Sequence, residues 1–472
     1  MSTKFSQILL LKRWMNVAVI ALLVFCTVSL LQSNVYRFNP QYLVDNSILK
    51  DKNFSVDVKE ITSPELQIKA YLFEEHSNPI VSVSFMFKQA GSAYDDADLQ
   101  GTSSLLSNML TAGAGKYDMK SYHRLLEQKA IDVSFSAGKD DFSGNLLFIK
   151  KDMPLAAKML NLALTQPRFS LAELQKAIRL KETAVKRKME QPDTFAYVET
   201  IKKLYGNHPY ARNPYGQVTH FKKITAKHLQ AFLKKHLTLQ NLVVGISGDI
   251  SEQEAAKLVD EIFKGLPRRY TGKPLPDVDV NFAVAEEHID RASLQNIGLF
   301  FAKGPARLDE DFYPTIVATH ILTGSSLNSR IHHKARASEG LTYGVYGSWG
   351  GNDKINFISG EFSSTAENFD RLKQIVQEEW NNLGQSGVTD SEVEQIKNYM
   401  LAADALRYAD IQNISETLVF MQKEKLGLDF LQKRNSYVQK ISVDDVNQAA
   451  KKYFTPDNFR LITMGKSKKE EK

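Results

Sequence analysis

Residues 224–248 read ITAKHLQAFLKKHLTLQNLVVGISG, and residues 441–465 read ISVDDVNQAAKKYFTPDNFRLITMG. At a constant offset of 217, Ile224, Thr225 and Leu229 meet Ile441, Ser442 and Val446, and further on Asn241 and Gly248 meet Asn458 and Gly465. The first copy predicts a helix from Thr225 to His236 and then a buried strand from Leu242 to Ser247, ended by Gly248-Asp249. A second correspondence precedes it in each copy. Ser170-x-x-Glu173-Leu174, a capping box opening a helix that runs toward Met189, is answered after a small shift by Thr389-x-x-Glu392-Val393. The chain therefore reads as an α+β unit of about 200 residues written twice, and two such halves on one linker enclose a cleft.

The rest of the first half fits this unit. Alternation through Val56, Val58 and Ile61, through Ile68, Ala70 and Leu72, and through Val81, Val83, Phe85 and Phe87 predicts half-buried strands of an antiparallel sheet. Helical patterns follow at Gly101–Leu110, Ser121–Lys129 and Pro154–Leu164, and a helix from Ser251 to Phe263 closes the half. Leu266 to Val280, LPRRYTGKPLPDVDV, is linker chemistry, after which the pattern restarts. The expected domains are 54–265 and 281–466, joined by 266–280 and followed by a charged tail, 467–472.

Composition narrows the function classes. Of 472 residues, 60 are basic and 54 acidic, a net charge of +6 spread along the chain. The densest basic run, Lys176 to Lys188, is interrupted by Glu182 and reads as a solvated helix face, so nucleic-acid binding is not expected. The single cysteine, Cys26, excludes an intrachain disulfide and a Cys-rich zinc site. Trp14 to Tyr36 carries no charge and is long enough for one membrane-spanning helix of about 20 residues. Lys4, Lys12 and Arg13 precede it, which keeps residues 1–13 cytoplasmic. With no small-x-small site after the apolar run, the segment reads as a retained signal anchor rather than a cleaved signal peptide. Residues 37–53 form a polar spacer. The expected location is the bacterial inner membrane, single-pass, with the globular part periplasmic.

The second half contains NSRIHHKARASEGLTYGVYG, Asn328 to Gly347. It reads as a basic helix carrying Arg330 and Arg336, stopped at Gly340, then a strand beginning Leu341, Thr342, Tyr343. Spacing alone is compatible with a surface arginine and a strand tyrosine. The segment also resembles the S-R-L…R-x-x-x-G-L-x-Y signature of the M16 family (pitrilysin, insulinase, mitochondrial processing peptidase), and the duplicated halves resemble its bacterial M16B members. That resemblance implies two α/β-roll domains, an antiparallel sheet packed with helices in each. It also implies that Arg336 and Tyr343 bind the substrate and polarise its scissile carbonyl.

Active members carry H-x-x-E-H on a helix of the first half and a Glu ligand downstream, the two histidines sharing a face with the general base. The matching helix here is Gly101-Thr-Ser-Ser104-Leu-Leu-Ser107-Asn108-Met-Leu110, so the ligand positions fall on Ser104 and Asn108 and the base on Ser107. None suits zinc or general-base work near neutral pH. The downstream ligand falls between Glu182 and Met189, and neither H-x-x-E-H nor H-E-x-x-H occurs in the chain. His332 and His333 are adjacent and point about 100 degrees apart on a helix, so with His320 they make a poor metal site. Ser103, Ser104 and Ser107 lack a strained Gly-x-Ser-x-Gly turn, and Gly113 and Gly115 lack Walker spacing.

The resemblance thus implies a non-catalytic, substrate-binding and transition-state-assisting subunit of a heteromeric zinc endopeptidase. Its expected partners are an H-x-x-E-H-bearing M16 subunit, which supplies the zinc, and a peptide or unfolded substrate, with no cofactor bound by this chain. The alternative is a structural or peptide-binding scaffold of the same fold.

Overall fold

The computed structural model describes residues 57–282, 286–324, 329–408 and 410–466. The segment expected to be a signal anchor, 14–36, the expected spacer, Val56 and the tail lie outside these residues. Among the described residues no helix is long and apolar enough to cross a membrane.

In the first half, β1 (Lys59–Thr62), β2 (Lys69–Glu74), β3 (Ile80–Phe87), β6 (Asp132–Ala137), β7 (Phe142–Ile149) and β8 (Leu242–Gly248) form one sheet. Its order is β1-β2-β8-β3-β7-β6, and β4 (Gly113–Ala114) and β5 (Tyr117–Asp118) make a separate small hairpin. In the second half β9 (Glu286–Asp290), β10 (Asn296–Lys303), β11 (Val345–Asn352), β12 (Ile355–Ser364) and β13 (Arg460–Gly465) form a sheet in the order β11-β12-β10-β13-β9. Apart from β1, the two sheets correspond strand for strand. Both depart from a wholly antiparallel arrangement, because β2 runs parallel to β8 and β9 parallel to β13. Strand alternation specifies which face is buried but not the direction of a neighbour, and a long helical crossover permits parallel pairing.

The helices of the first half are α1 (Thr102–Met109), α2 (Met119–Gln128), α3 (Met153–Thr165), α4 (Leu171–Glu190), α5 (Pro192–Tyr205), α6 (Val218–Phe221), α7 (Ala226–His236) and α8 (Glu252–Phe263). Those of the second are α9 (Phe312–Thr323), α10 (Ala366–Ser386), α11 (Asp390–Arg407), α12 (Ile411–Lys423), α13 (Phe430–Lys440) and α14 (Val443–Tyr453). One face of the first sheet, with Val81, Val83, Phe85 and Phe87, packs on α1, α3, α7 and α8 around a core that includes Leu105, Leu160, Leu229 and Val259.

The other face is not solvated, as the alternation in β3 suggests it should be. Ser82 and Ser84 are buried as well, because α12 of the second half lies across β2, β3 and β8. The Ser415 hydroxyl sits 2.8 Å from Ser82 Oγ and 2.6 Å from Ser84 Oγ, so the polar stripe is satisfied by hydroxyls of the other half. The exchange is reciprocal. Helix α5 packs on β10 and β13, its Ile201 and Leu204 sharing an apolar cluster with Ile297, Phe301 and Ile462.

Gly245 permits the approach of α12, since a Cβ there would lie 2.3 Å from the Ser415 carbonyl oxygen. Gly245→Ala is expected to destabilise by about 1–3 kcal/mol through overpacking. The check is a lowered urea midpoint at unchanged m; an unchanged midpoint would refute the close packing.

Candidate functional site

The α1 helix is positioned from its N-terminus. Gly101, at φ +103°, turns the chain into it, and the buried Asp95 carboxylate accepts the Gly101 N–H at 2.7 Å and the Ser103 N–H at 2.9 Å. Burial raises Asp95 to about 7, against the lowering effect of those bonds. Arg212 holds the same turn by donating to the Asp95 carbonyl at 2.6 Å. The helix packs beside β6, an edge strand of the first sheet, and against α4.

On α1, Ser104 is half-buried, Ser107 buried and Asn108 exposed. Ser107 turns back on its own helix, its hydroxyl donating to the Ser104 carbonyl at 2.9 Å. The side chain that reaches this face is Lys181 of α4, whose Nζ donates to Ser104 Oγ at 2.8 Å. Lys181 falls inside the run read as a solvated face; Lys176, Arg179, Lys186, Arg187 and Lys188 of that run are exposed as expected, and Lys181 is its half-buried cation. In α4 it sits one turn before Val185, which is buried in the core, so packing turns this part of the helix inward, while Lys188 stays exposed. Burial, then the Lys188 charge, lowers the Lys181 pKa. Glu182, at the edge of the window for a downstream ligand, has a buried Oε1 with no hydrogen-bond partner among the described residues.

Zinc requires thiolate, imidazole or carboxylate donors. Two hydroxyls, an amide and a lysine ammonium do not fit it, and no group of three or more His, Cys, Asp or Glu among the described residues is placed to hold a metal. Elsewhere, His332 is buried with Nδ1 2.9 Å from Ser329 Oγ, and burial, then Arg336, lowers its pKa. His320 is lowered by burial, and His333 is exposed.

The Arg/Tyr segment is built differently from the sequence expectation. Residues His332–Ser338 form a π-helical turn, a form common at functional sites. It ends at Gly340 with φ +62°, where the Leu341 N–H bonds back to the Ala335 carbonyl at 2.8 Å. The strand begins at Val345 rather than Leu341. Thr342 explains the delay, because its hydroxyl donates to the Ser363 carbonyl at 2.7 Å and accepts the Gly344 N–H at 3.1 Å, folding the chain into a turn.

The cations of this segment have distinct fates. Arg330 makes a bidentate pair with Glu392 at 2.7 and 2.8 Å, and Lys334 contacts Glu378 and Glu379 at 3.2 and 3.1 Å. Arg336 is exposed and Tyr343 is 83% exposed; neither side chain has a hydrogen-bond or ion-pair partner among the described residues. No hydrogen bond joins the two.

Sequence reasoning missed a further cluster where the halves meet. Asp140 accepts from Tyr210 Oη at 2.6 Å and from the Asp353 N–H at 3.1 Å, while Lys423, at the end of α12, contacts Asp141 and lies 3.5 Å from Asp353. Burial raises Asp140, and raises Asp141 to about 6. Burial pulls Lys423 down, but the surrounding carboxylates outweigh it and hold the amine above the usual lysine range. The tandem Asp140-Asp141 in the short turn between two strands was the signal in the sequence.

Comparison with known proteins places these features. Residues 71–213 match the family "Insulinase (Peptidase family M16)", and residues 223–400 match "Peptidase M16 inactive domain". A Helicobacter pylori protein named non-peptidase homolog YmxG is 25% identical over 405 residues, covering 84% of this chain and 92% of its own. A Pseudomonas fluorescens crystal structure described as a peptidase M16 inactive domain superposes with a TM-score of 0.82 at 23% identity, covering 87% of this chain and 99% of that one. A Helicobacter pylori protease structure has a TM-score of 0.77 at 13% identity, covering 87% and 100%.

Proposed function

The chain belongs to the M16 peptidase family, and on that premise we propose that it is the non-catalytic, substrate-binding subunit of a heteromeric zinc endopeptidase. The observation that carries this reading is the Lys181 ammonium resting on Ser104 at a position where active relatives of this fold need a zinc ligand. A chain so built does not assemble a zinc-bound water. It does present the exposed Arg336 and Tyr343, two donors with no internal partner among the described residues.

In the assembled enzyme an H-x-x-E-H partner supplies the metal. Arg336 binds a backbone carbonyl or carboxyl group of the substrate, and Tyr343 donates its hydroxyl to the oxygen that gains charge in the transition state. The peptide extends the first sheet as an added strand at β6, whose outer edge pairs with no strand among the described residues. Residues 14–36 anchor the subunit in the bacterial inner membrane with its folded part in the periplasm.

The test is peptidase activity of the purified chain, alone and mixed with an H-x-x-E-H protein of the same organism, with and without a zinc chelator. Activity confined to the mixture and abolished by chelation is expected. A mixture that stays inactive while the chain stably captures other proteins would replace this reading by the scaffold.

A further inference from the structure

Lys181 is the residue of α4 that reaches α1, and the exposed Lys188, two turns further on, adds a second positive charge that lowers its pKa alongside burial. No carboxylate among the described residues pairs with Lys181, and its one hydrogen bond is to the neutral Ser104 hydroxyl. A half-buried ammonium in that position is under-solvated and lacks a counter-ion, which favours arrival of an anion. Asn108 lies one helical turn beyond Ser104 on the same face of α1, with its amide exposed. The edge strand β6 runs beside this helix, so a chain added to β6 lies next to the helix that carries Ser104 and Asn108.

We propose that Lys181, Ser104 and Asn108 form a carboxylate-binding site that takes the free C-terminus or an acidic side chain of a bound peptide. The site stands where the family places a metal, and it holds a negative group by charge rather than activating water. Lys181 supplies the charge, Ser104 orients the ammonium and can donate its own hydroxyl proton, and the Asn108 amide donates from one turn away. The inference rests on the peptide-binding reading above.

The experiment uses the full chain and fluorescence anisotropy with three forms of one short, extended, labelled peptide. The first has a free C-terminal carboxylate, the second is C-terminally amidated, and the third is amidated with an internal Glu. A charge-assisted hydrogen bond is worth enough that the first or third form should bind about 10- to 100-fold more tightly than the second. Whichever of the two gains identifies the source of the carboxylate. In Lys181→Met that preference should vanish while affinity for the amidated peptide stays unchanged; Lys181→Arg should retain most of it, and Ser104→Ala should reduce it.

Equal binding of all three forms by the unmodified chain, or a preference that survives Lys181→Met, would overturn the site. Failure of every form to bind would instead overturn the peptide-binding reading, and the site with it. Unchanged affinity of Lys181→Met for the amidated peptide also serves as the check that the variant is folded.

Discussion

Replacing Lys423 by methionine is expected to cost about 3 kcal/mol of stability near pH 8, the scale for removing one partner of a buried ion pair. Lys423 ends α12, the helix that the second half lays across the first sheet, and its amine faces Asp141, Asp353 and, beyond them, Asp140. Without it three carboxylates face one another at the join between the halves, with Lys139 and Tyr210 beside them. The pH dependence has a definite sign. Asp141 titrates at about 6 in the folded chain against an ordinary 3.8, so the folded state holds this proton more tightly and ionising it on the way up in pH lowers stability.

Lys423 limits that loss. In Lys423→Met the Asp141 pKa moves further up, so the gap between variant and parent opens as pH rises through about 6 and is full near pH 8. At pH 5 the gap should have largely closed. Asp141→Asn should cost less than Lys423→Met, because Asp140 and Asp353 still compensate the amine. Urea unfolding at pH 5, 6, 7 and 8 provides the measurement. A loss under about 0.5 kcal/mol, or one independent of pH, would remove the cluster from the account of what holds the halves together.

The other large effect concerns turnover. In the reconstituted enzyme Tyr343→Phe should lower kcat by about 10²- to 10³-fold, the range for losing one oxyanion donor. Because Tyr343 is 83% exposed and unpartnered among the described residues, the missing hydroxyl should change stability by less than about 0.5 kcal/mol. Assembly with the zinc-bearing partner, followed by size-exclusion chromatography, should be unaltered. Arg336→Lys keeps the charge but not the planar fork, so it should raise KM more than it lowers kcat. Full activity in Tyr343→Phe would remove the tyrosine from the mechanism and leave the segment an interface.

The duplication was legible because equivalent residues recur at one spacing; Thr389 and Glu392 form the reciprocal cap expected of the motif, whereas Ser170 caps its helix by backbone conformation without a side-chain bond. That Ser104, Ser107 and Asn108 are poor zinc donors was legible too, from residue type alone. What the sequence did not disclose is where the second layer of each half comes from. Ser82 and Ser84 read as a wetted face, and only tertiary packing turns them toward Ser415, 331 or more positions away.

Lys181 illustrates the same limit from the side of function. Its run of lysines and arginines has the composition of a solvated helix face, and composition does not specify which stripe a neighbouring helix will cover. The turn at Thr342, which moves Tyr343 out of the strand, depends on a carbonyl 21 residues ahead at Ser363. Sequence by itself determined the elements, their repetition and the donor types offered on α1, because these follow from local periodicity and residue chemistry. Tertiary structure decided the exchange of α5 and α12, the cluster around Lys423 and the lysine on Ser104. Each of these joins residues far apart in the chain, whose burial and charge acquire meaning only once both partners are in place.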